Sequence, residues 1–401
     1  MKWVRHCIRF WFCLVTLFIV STQHIHALKN QNDEQAATHQ HTGSIVIAPQ
    51  FASAGQFSEG LAAVQIGKKE NGKWGYIDKS GQFVIRPQFD DADAFSDGLA
   101  AVQQSDEESG KWGFIDRNGK FVIAPKWDHV TPFARGLSVV RTGDILTGKE
   151  RVIDKQGRYV SDLEAGVLLP CQDGLTLVGI NVSWDDRGVN RRFGFIDTSG
   201  SYVIHREFGD AFCFSEGTAA VRIGDAETGR WGFIDSTGQF VLDPQWGSVY
   251  VFKDGIATVA TAGGISKKWG TIDKTGQIII PLQFPEPLLF SDGLALEPNI
   301  TYRWVTDAEG RTSAAAQTTY GFINKAGICP TGFQWSSAYS FSQGLAAVMF
   351  GEPSTGKWGF IDPSGRYIVK PQFEDARPFS EGMAAVLIAD EETRAWGYIA
   401  R

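Results

Sequence analysis

The sequence predicts an all-β fold built from nine tandem three-stranded antiparallel repeats of about 38 residues, and three observations predict it. The dipeptide Trp74-Gly75 returns as Trp112-Gly113, Trp231-Gly232, Trp269-Gly270, Trp358-Gly359 and Trp396-Gly397, with Phe193-Gly194, Tyr320-Gly321 and a degenerate Glu150-Arg151 in the same register. The steps between these nine positions are 38, 38, 43, 38, 38, 51, 38 and 38 residues. A fixed period of this size marks a chain of supersecondary units that bury their apolar faces on one another. A glycine marker checks the register independently, with Gly98 returning at Gly60, Gly136, Gly174, Gly217, Gly255, Gly293, Gly344 and Gly382. Composition agrees: 45 glycines, 12% aromatic and 43% hydrophobic residues supply many tight turns and ample core.

Each repeat contains three short β-like runs. The WG strand, Trp74 to Asp78, meets the VI strand, Gln82 to Arg86, across Lys79-Ser80-Gly81. Glycine there adopts the positive φ that a short hairpin loop demands. About ten residues of turn chemistry after Pro87 lead through Phe95 and Gly98 into the GLA strand, Leu99 to Gln103. The period of two places Trp74, Tyr76 and Asp78 on one face and Gly75 and Ile77 on the other, so both faces are apolar and must be covered by neighbouring repeats. Gly75, Ala100 and Ala101 leave bare positions that suit close backbone approach between units.

The array opens at a VI strand, Ile45, and closes at the WG strand Trp396 to Ile399, which parses into nine units ordered VI, GLA, WG with the DxxG turn linking one unit to the next. The expected architecture is an open, solenoid-like or superhelical array. A closed propeller-like ring is the alternative, placed second because propellers typically have 4 to 8 four-stranded blades and this chain reads as nine three-stranded units. Five extra residues lie between Gly174 and Phe193, and thirteen between Gly293 and Tyr320. Both insertions fall in the GLA-to-WG connection, so they are expected as loops on the binding edge of the array.

Residues 1–27 form a separate object. Lys2, Arg5 and Arg9 precede an apolar run from Phe10 to Val20, broken by Thr16, and a polar stretch ends at Ala27. As a helix that run rises only about 16 Å, too short for a hydrocarbon core of about 30 Å, and the pattern predicts a secretory signal peptide. An uncleaved anchor is the alternative. Residues 28–44 read as a flexible polar linker and 45–401 as the repeat array. The chain is thus expected to be exported, with a periplasmic, cell-envelope or extracellular location and no membrane span in the mature chain. Cleavage after Ala27 leaves 35 basic and 45 acidic residues, a balance without the positive footprint that nucleic acid requires. Cys171, Cys213 and Cys329 then remain, an odd number without metal spacing, and each reads as a small buried apolar residue.

The segments KWGYIDKSGQFVI (Lys73 to Ile85), KWGFIDRNGKFVI (Lys111 to Ile123) and KWGFIDPSGRYIV (Lys357 to Val369) resemble the WG-repeat, or KWG-repeat, proteins of bacteria, over nearly all of Ile45 to Arg401. The resemblance implies a β-repeat protein, commonly exported or envelope-associated, with no activity assigned to the repeat and no catalytic residues to carry over. Glu150-Arg151, Tyr320 with Asn324, and the long insertion before Tyr320 depart from the pattern.

Residues locked to the period read as structural. The signature Trp residues are expected in the core, with a ladder of sugar-stacking platforms as the alternative. Asp78, Asp116, Asp154, Asp197, Asp235, Asp273 and Asp362 are expected to accept backbone N–H groups within their turns, because one carboxylate per turn falls far short of the six to eight oxygens of a calcium site. No metal or cofactor is expected. GxSxG, HExxH and GxxxxGK(S/T) motifs are missing, and His129 and His205 lack metal-ligand partners at helical or hairpin spacing, so an enzyme is not expected. The residues outside the period are the binding candidates: Trp184, Asp185 and Arg187 in the shorter insertion, and Tyr302, Arg303 and Trp304 in the longer one. The function these readings suggest is a non-enzymatic scaffold that binds a protein partner or cell-envelope component through the GLA-to-WG edge. The alternative is a cell-wall or glycan binder that uses aromatic stacking.

Overall fold

The computed structural model describes residues 43–401 apart from 69, 106–109, 145–147, 161–166, 172–173, 186–187, 198–200, 262–266, 307–311 and 390–393. The signal peptide expected over 1–27, and the polar linker up to residue 42, lie outside the described residues. Nine small antiparallel sheets make up the described chain, seven of four strands and two of three. No helix in it is long and apolar enough to cross a membrane. Two compact units divide it, Gln50–Gly293 and a second that joins the N-terminal strand to Leu294–Arg401.

The first sheet of the larger unit shows how a repeat folds. Its strands run in order Ser53–Ala54, Ala62–Ile66, Lys73–Ile77 and Phe83–Phe89. The expected three strands are therefore joined by a fourth, a two-residue strand, Ser53–Ala54 here and Asp91–Ala92 in the second sheet, which pairs with the GLA strand. Sequence patterning missed it because two residues cannot display a period. The boundary between units shifts accordingly. The DxxG turn lies inside a sheet, where Gly81 takes φ 85° and its N–H meets the Asp78 carbonyl at 2.9 Å. The link from one sheet to the next is instead the single residue between the VI strand and the two-residue strand, Asp90 after Phe89.

Gly75 does permit a close approach, but of its own sheet's VI strand. Trp74 pairs with Phe89 and Tyr76 with Ile85, so the VI strand carries two extra residues opposite Gly75. A Cβ at Gly75 would stand 2.5 Å from the Ile85 carbonyl oxygen and 2.7 Å from the Pro87 nitrogen. Pro87 tolerates this position because a bulged edge strand there asks for no ladder N–H. In the third sheet Arg151 replaces this glycine, and three strands are formed among the described residues.

Apolar clusters lie between consecutive sheets rather than inside any one. Tyr76 and Ile85 of the first sheet pack with Phe95, Ala100 and Val102 of the second. In repeats that carry an aromatic two residues after the signature tryptophan, that ring meets the phenyl of the following repeat, Tyr76 to Phe95 at 4.9 Å, Phe114 to Phe133 at 4.6 Å and Phe233 to Phe252 at 4.8 Å between ring centroids. In the smaller unit Phe322 meets Phe341 at 4.7 Å and Phe360 meets Phe379 at 4.9 Å. Such pairs add about 0.5–1.5 kcal/mol each beyond their buried area. Hydroxyls reinforce the same joints, with Ser58 Oγ donating to the Phe95 carbonyl at 2.8 Å and Ser96 Oγ to that of Phe133 at 2.6 Å.

The smaller unit corrects the open array. Its last sheet takes the N-terminal strand Ile45–Phe51 as the outer neighbour of Arg394–Ala400, followed by Met383–Ala389 and Asp375–Ala376. Gly43 N–H donates to the Ala400 carbonyl at 2.7 Å, and the backbone of Ile47 and Pro49 arches over Gly397. The last WG strand has no VI strand after it, and the first VI strand has no WG strand before it. Pairing the two satisfies both edges, so the strand order closes on itself as in the propeller-like alternative.

Candidate functional site

The two insertions are not loops. They lengthen the GLA and WG strands into β-hairpin arms. In the fourth sheet Thr176–Asp185 pairs with Gly188–Ile196, with Trp184 opposite Val189 and Asp185 opposite Gly188 beyond a bulge at Asn181/Ser183. Arg187 lies outside the described residues. In the smaller unit Leu294–Thr306 pairs with Thr312–Asn324 without a break in register. The ordinary sheet ends near Asn299 and Thr319, so the pairs from Ile300↔Thr318 to Thr306↔Thr312 project past it. At about 3.4 Å per residue this arm reaches roughly 20 Å.

The long arm places the predicted residues at defined register positions. Tyr302 is opposite Ala316, Arg303 opposite Ala315 and Trp304 opposite Ala314. Ile300 and Tyr302 share one face by the two-residue period, and they are 56% and 74% exposed. Alanines on the facing strand give Tyr302 little cross-strand cover, although aromatic and β-branched pairs are what stabilise a ribbon. Thr301 Oγ1 donates to the Gln317 carbonyl at 3.3 Å on the other strand. The insertions were read as binding candidates in the sequence, and their strand character was also signalled there, by the alternation Ile180-Asn181-Val182-Ser183-Trp184-Asp185 and Ile300-Thr301-Tyr302-Arg303-Trp304, which the loop expectation passed over.

The signature tryptophans divide into covered and less covered. Trp231, Trp358 and Trp396 are buried. The residue nineteen positions earlier covers each indole: Phe212 lies 5.2 Å from Trp231, Tyr339 5.2 Å from Trp358, and the guanidinium of Arg377 5.1 Å from the Trp396 ring. The packing role therefore accounts for them, and a continuous stacking ladder is not what the structure builds. The lysine of the KWG signature is also structural: Lys111 Nζ pairs with Asp128 at 2.5 Å, and Lys73 and Lys357 pair with Asp90 and Glu374 in the same way.

The repeated aspartates serve their turns. Asp78 Oδ1 accepts the Ser80 hydroxyl at 2.6 Å, the Ser80 N–H at 2.9 Å and the Gln82 N–H at 3.1 Å. The Ser80 hydroxyl, with those N–H groups, holds the Asp78 carboxyl below its ordinary range. In the Asp116 turn the Lys120 and Asn118 N–H groups do the same. A second carboxylate set joins neighbouring sheets. Asp97 Oδ2 accepts the Gly136 N–H at 2.6 Å, while Lys155 Nζ donates to the Asp97 carbonyl at 2.6 Å. Glu216 likewise accepts from Gly255 N–H and pairs with Lys274 at 3.2 Å. Asp97 and Gly98 both take positive φ, as a two-residue type I′ turn requires.

The cysteine expectation is corrected. Cys171 and Cys213 form a disulfide across 42 residues, with Cα atoms 5.1 Å apart, while Cys329 forms no disulfide among the described residues. Counting from the marker glycines, Cys171 occupies the place of the Phe95-type phenyl, which the fourth repeat lacks. A covalent tie between the fourth and fifth sheets thus stands where the ring would have packed. An odd cysteine count concealed this pair, since spacing alone cannot identify partners.

One solved structure shares the fold at low identity, and others match more weakly. A crystal structure of a eukaryotic initiation factor matches with a TM-score of 0.52 at 13% identity, over 80% of this chain and 87% of that one. The β-propeller domain of the trilobed protease from Pyrococcus furiosus matches with a TM-score of 0.35 at 11% identity, over 88% and 95%. A prolyl endopeptidase structure matches with a TM-score of 0.40 at 11% identity, over 85% of this chain and 59% of that one. No curated protein sequence matches. The family model described as WG containing repeat matches seven segments, residues 40–69, 74–107, 112–144, 193–225, 231–263, 269–296 and 358–390. The segments it passes over hold the Arg151 repeat, most of both arms and the Cys171 turn. With more than half of its length matched in register, the chain belongs to the WG-repeat family.

Proposed function

We propose that this protein is an exported, non-enzymatic scaffold that binds a protein partner through the GLA–WG ends of its sheets, chiefly through the two arms. The long arm carries this reading. It extends past the sheet that folds it, and it leaves Ile300 and Tyr302 in solvent on one face. Exposed aromatics on a projecting ribbon gain little for folding and suit recognition, since aromatic anchors dominate interface energies. Export rests on the leader pattern of residues 1–27, and the lack of a catalytic role rests on the missing motifs.

The test is capture from cell-envelope extracts with the intact chain and with a short-arm variant, in which residues 301–317 are replaced by Asn-Gly between Ile300 and Thr318. Recovery of a protein by the intact chain and its loss with the short arm is the expected result. Equal recovery by both, or turnover of a substrate that one polar substitution abolishes, overturns the reading.

A further inference from the structure

A cavity of about 670 Å³ opens at the hairpin end of the first sheet, within the larger unit. Trp74, Gln65, Glu70, Lys73, Asp90 and Asp91 are among the residues that line it. Three carboxylates face one ammonium, and Lys73 is already paired with Asp90. Asp90 also accepts the Ser105 N–H at 2.7 Å, and Asp91 accepts the Ala92 N–H at 2.9 Å through one oxygen. Glu70 and Asp91 are exposed.

The chain's other repeats show what sits on this indole elsewhere. In the ninth repeat the guanidinium of Arg377 lies 5.1 Å from the Trp396 ring, and in the fifth that of Arg222 lies 5.9 Å from the Trp231 ring. Gly55 and Gln65 hold the corresponding positions in the first repeat, so neither internal guanidinium is supplied there. Trp396 and Trp231 are buried, whereas Trp74 keeps part of its surface beside the open cavity. The planar guanidinium stacks on indole and pairs with carboxylates better than a compact ammonium does.

From these observations we infer that the cavity beside Trp74 receives an arginine side chain from a partner segment, which takes the place that Arg377 fills over Trp396. The site lies on the GLA–WG end and so rests on the reading of that end as a protein-binding edge, narrowing it to a partner with an exposed basic segment. The guanidinium lies on the indole, and Glu70 and Asp91 face its charge.

The experiment titrates acetyl-Gly-Arg-Gly-amide into the full chain labelled with ¹⁵N at the indoles, with the Trp74 resonance identified from Trp74→Phe. The expected result is a saturable shift of that resonance, at least fivefold weaker binding of the citrulline analogue, and a comparable weakening in Glu70→Gln/Asp91→Asn. Gly55→Arg fills the slot from within and abolishes the shift. It is expected to fold, because the ninth repeat carries arginine at this position and its N–H makes the same bond, Arg377 to Ala385 at 2.9 Å and Gly55 to Ala63 at 2.8 Å. Equal binding of arginine and citrulline peptides, an unmoved Trp74 resonance, or unchanged binding by Gly55→Arg overturns the inference. A Trp74 shift produced by N-acetylglucosamine oligomers instead of the peptide also overturns it and assigns the cavity to glycans. The short-arm variant keeps this titration, so loss of the peptide site and loss of arm-dependent capture are read separately.

Discussion

Replacing Gly113 with alanine tests the central packing argument. A Cβ at this residue would lie 2.7 Å from the Ile123 carbonyl oxygen, 2.7 Å from the Pro125 nitrogen and 2.9 Å from the Pro125 Cα. All three are backbone atoms of the bulged VI strand, Phe121–Trp127, so no flexible side chain can move aside. Ordinary contact needs about another 0.7–1 Å, and overpacking of this kind costs about 1–3 kcal/mol. If the strand detaches instead of shifting, Trp127 and Ile123, now 1% and 5% exposed, lose their cover. Full exposure of two such side chains costs roughly 3–6 kcal/mol. The outcome is therefore a loss of at least about 1 kcal/mol, concentrated in one sheet and its neighbour, because repeat stability is a sum of local terms. Hydrogen exchange reads this directly: amides of 121–127 lose protection and those of the fifth and sixth sheets keep it. Arg151→Gly is the control, since the third repeat carries a side chain at the equivalent position, and its cost is the stacking of Arg151 on Tyr159, 4.9 Å away, together with about 0.5–1 kcal/mol for glycine inside a strand. Unchanged protection in Gly113→Ala refutes the claim that glycine is present for the crossing.

Reduction of Cys171–Cys213, or Cys213→Ser, lowers stability by up to about 4 kcal/mol for a loop of this length, and reductant has no further effect on the variant when unfolding is followed in urea. The turn carboxylates have folded pKa values depressed below their unfolded ones, so their stabilisation is present above the unfolded value of about 3.9 and is lost as pH falls through the folded values. The urea midpoint should fall below about pH 4, and an Asp78→Asn/Asp116→Asn variant should show a shallower fall. Tyr302→Ala should change the stability read from urea unfolding by no more than about 0.5 kcal/mol while weakening capture of the partner, because the side chain is exposed.

Much of the fold was legible because the period amplifies weak local signals. One WG hairpin would be an ambiguous six-residue run, but nine copies in register fix the strands and their turns. The two-residue strand at Asp91–Ala92 escaped because it carries no alternation of its own and is defined by its partner, Gln103 and Val102. Closure escaped for a different reason. The unmatched strands at the two ends were visible, but whether they meet depends on the accumulated rotation from sheet to sheet, which no local pattern encodes. Of the candidate site, the positions of Tyr302 and Trp304 were readable as departures from the period. Gly55 was not, since a glycine among 45 gains meaning only when Phe212, Tyr339 and Arg377 are seen over the equivalent indoles.

The departures from the repeat fall together, and that grouping bears on function. The third repeat loses its glycine, and the fourth loses its phenyl, gains a disulfide to the fifth and carries the shorter arm. The seventh repeat has Tyr320 for tryptophan, a three-stranded sheet and the longer arm. In a solenoid-type energy balance each weakened unit lowers the stability of its neighbours, so an arm attached there is supported by less packing than elsewhere. The Cys171–Cys213 bond offsets this in the fourth repeat through the chain entropy it removes from the unfolded state. The seventh has no such tie among the described residues. Its support is the buried Trp335, whose indole N–H donates to the Tyr367 hydroxyl at 3.0 Å and which packs 5.7 Å from Phe322. Trp335→Phe keeps a phenyl ring but removes that hydrogen bond and part of the buried indole, at a cost of about 1–3 kcal/mol. Trp335→Ala removes the ring as well as the hydrogen bond and costs about 3–5 kcal/mol. Amide exchange in Thr312–Asn324 should therefore rise more in the alanine variant than in the phenylalanine one. Equal protection in the two would mean that the arm is held by its own ladder alone, and that the seventh sheet does not serve as its base.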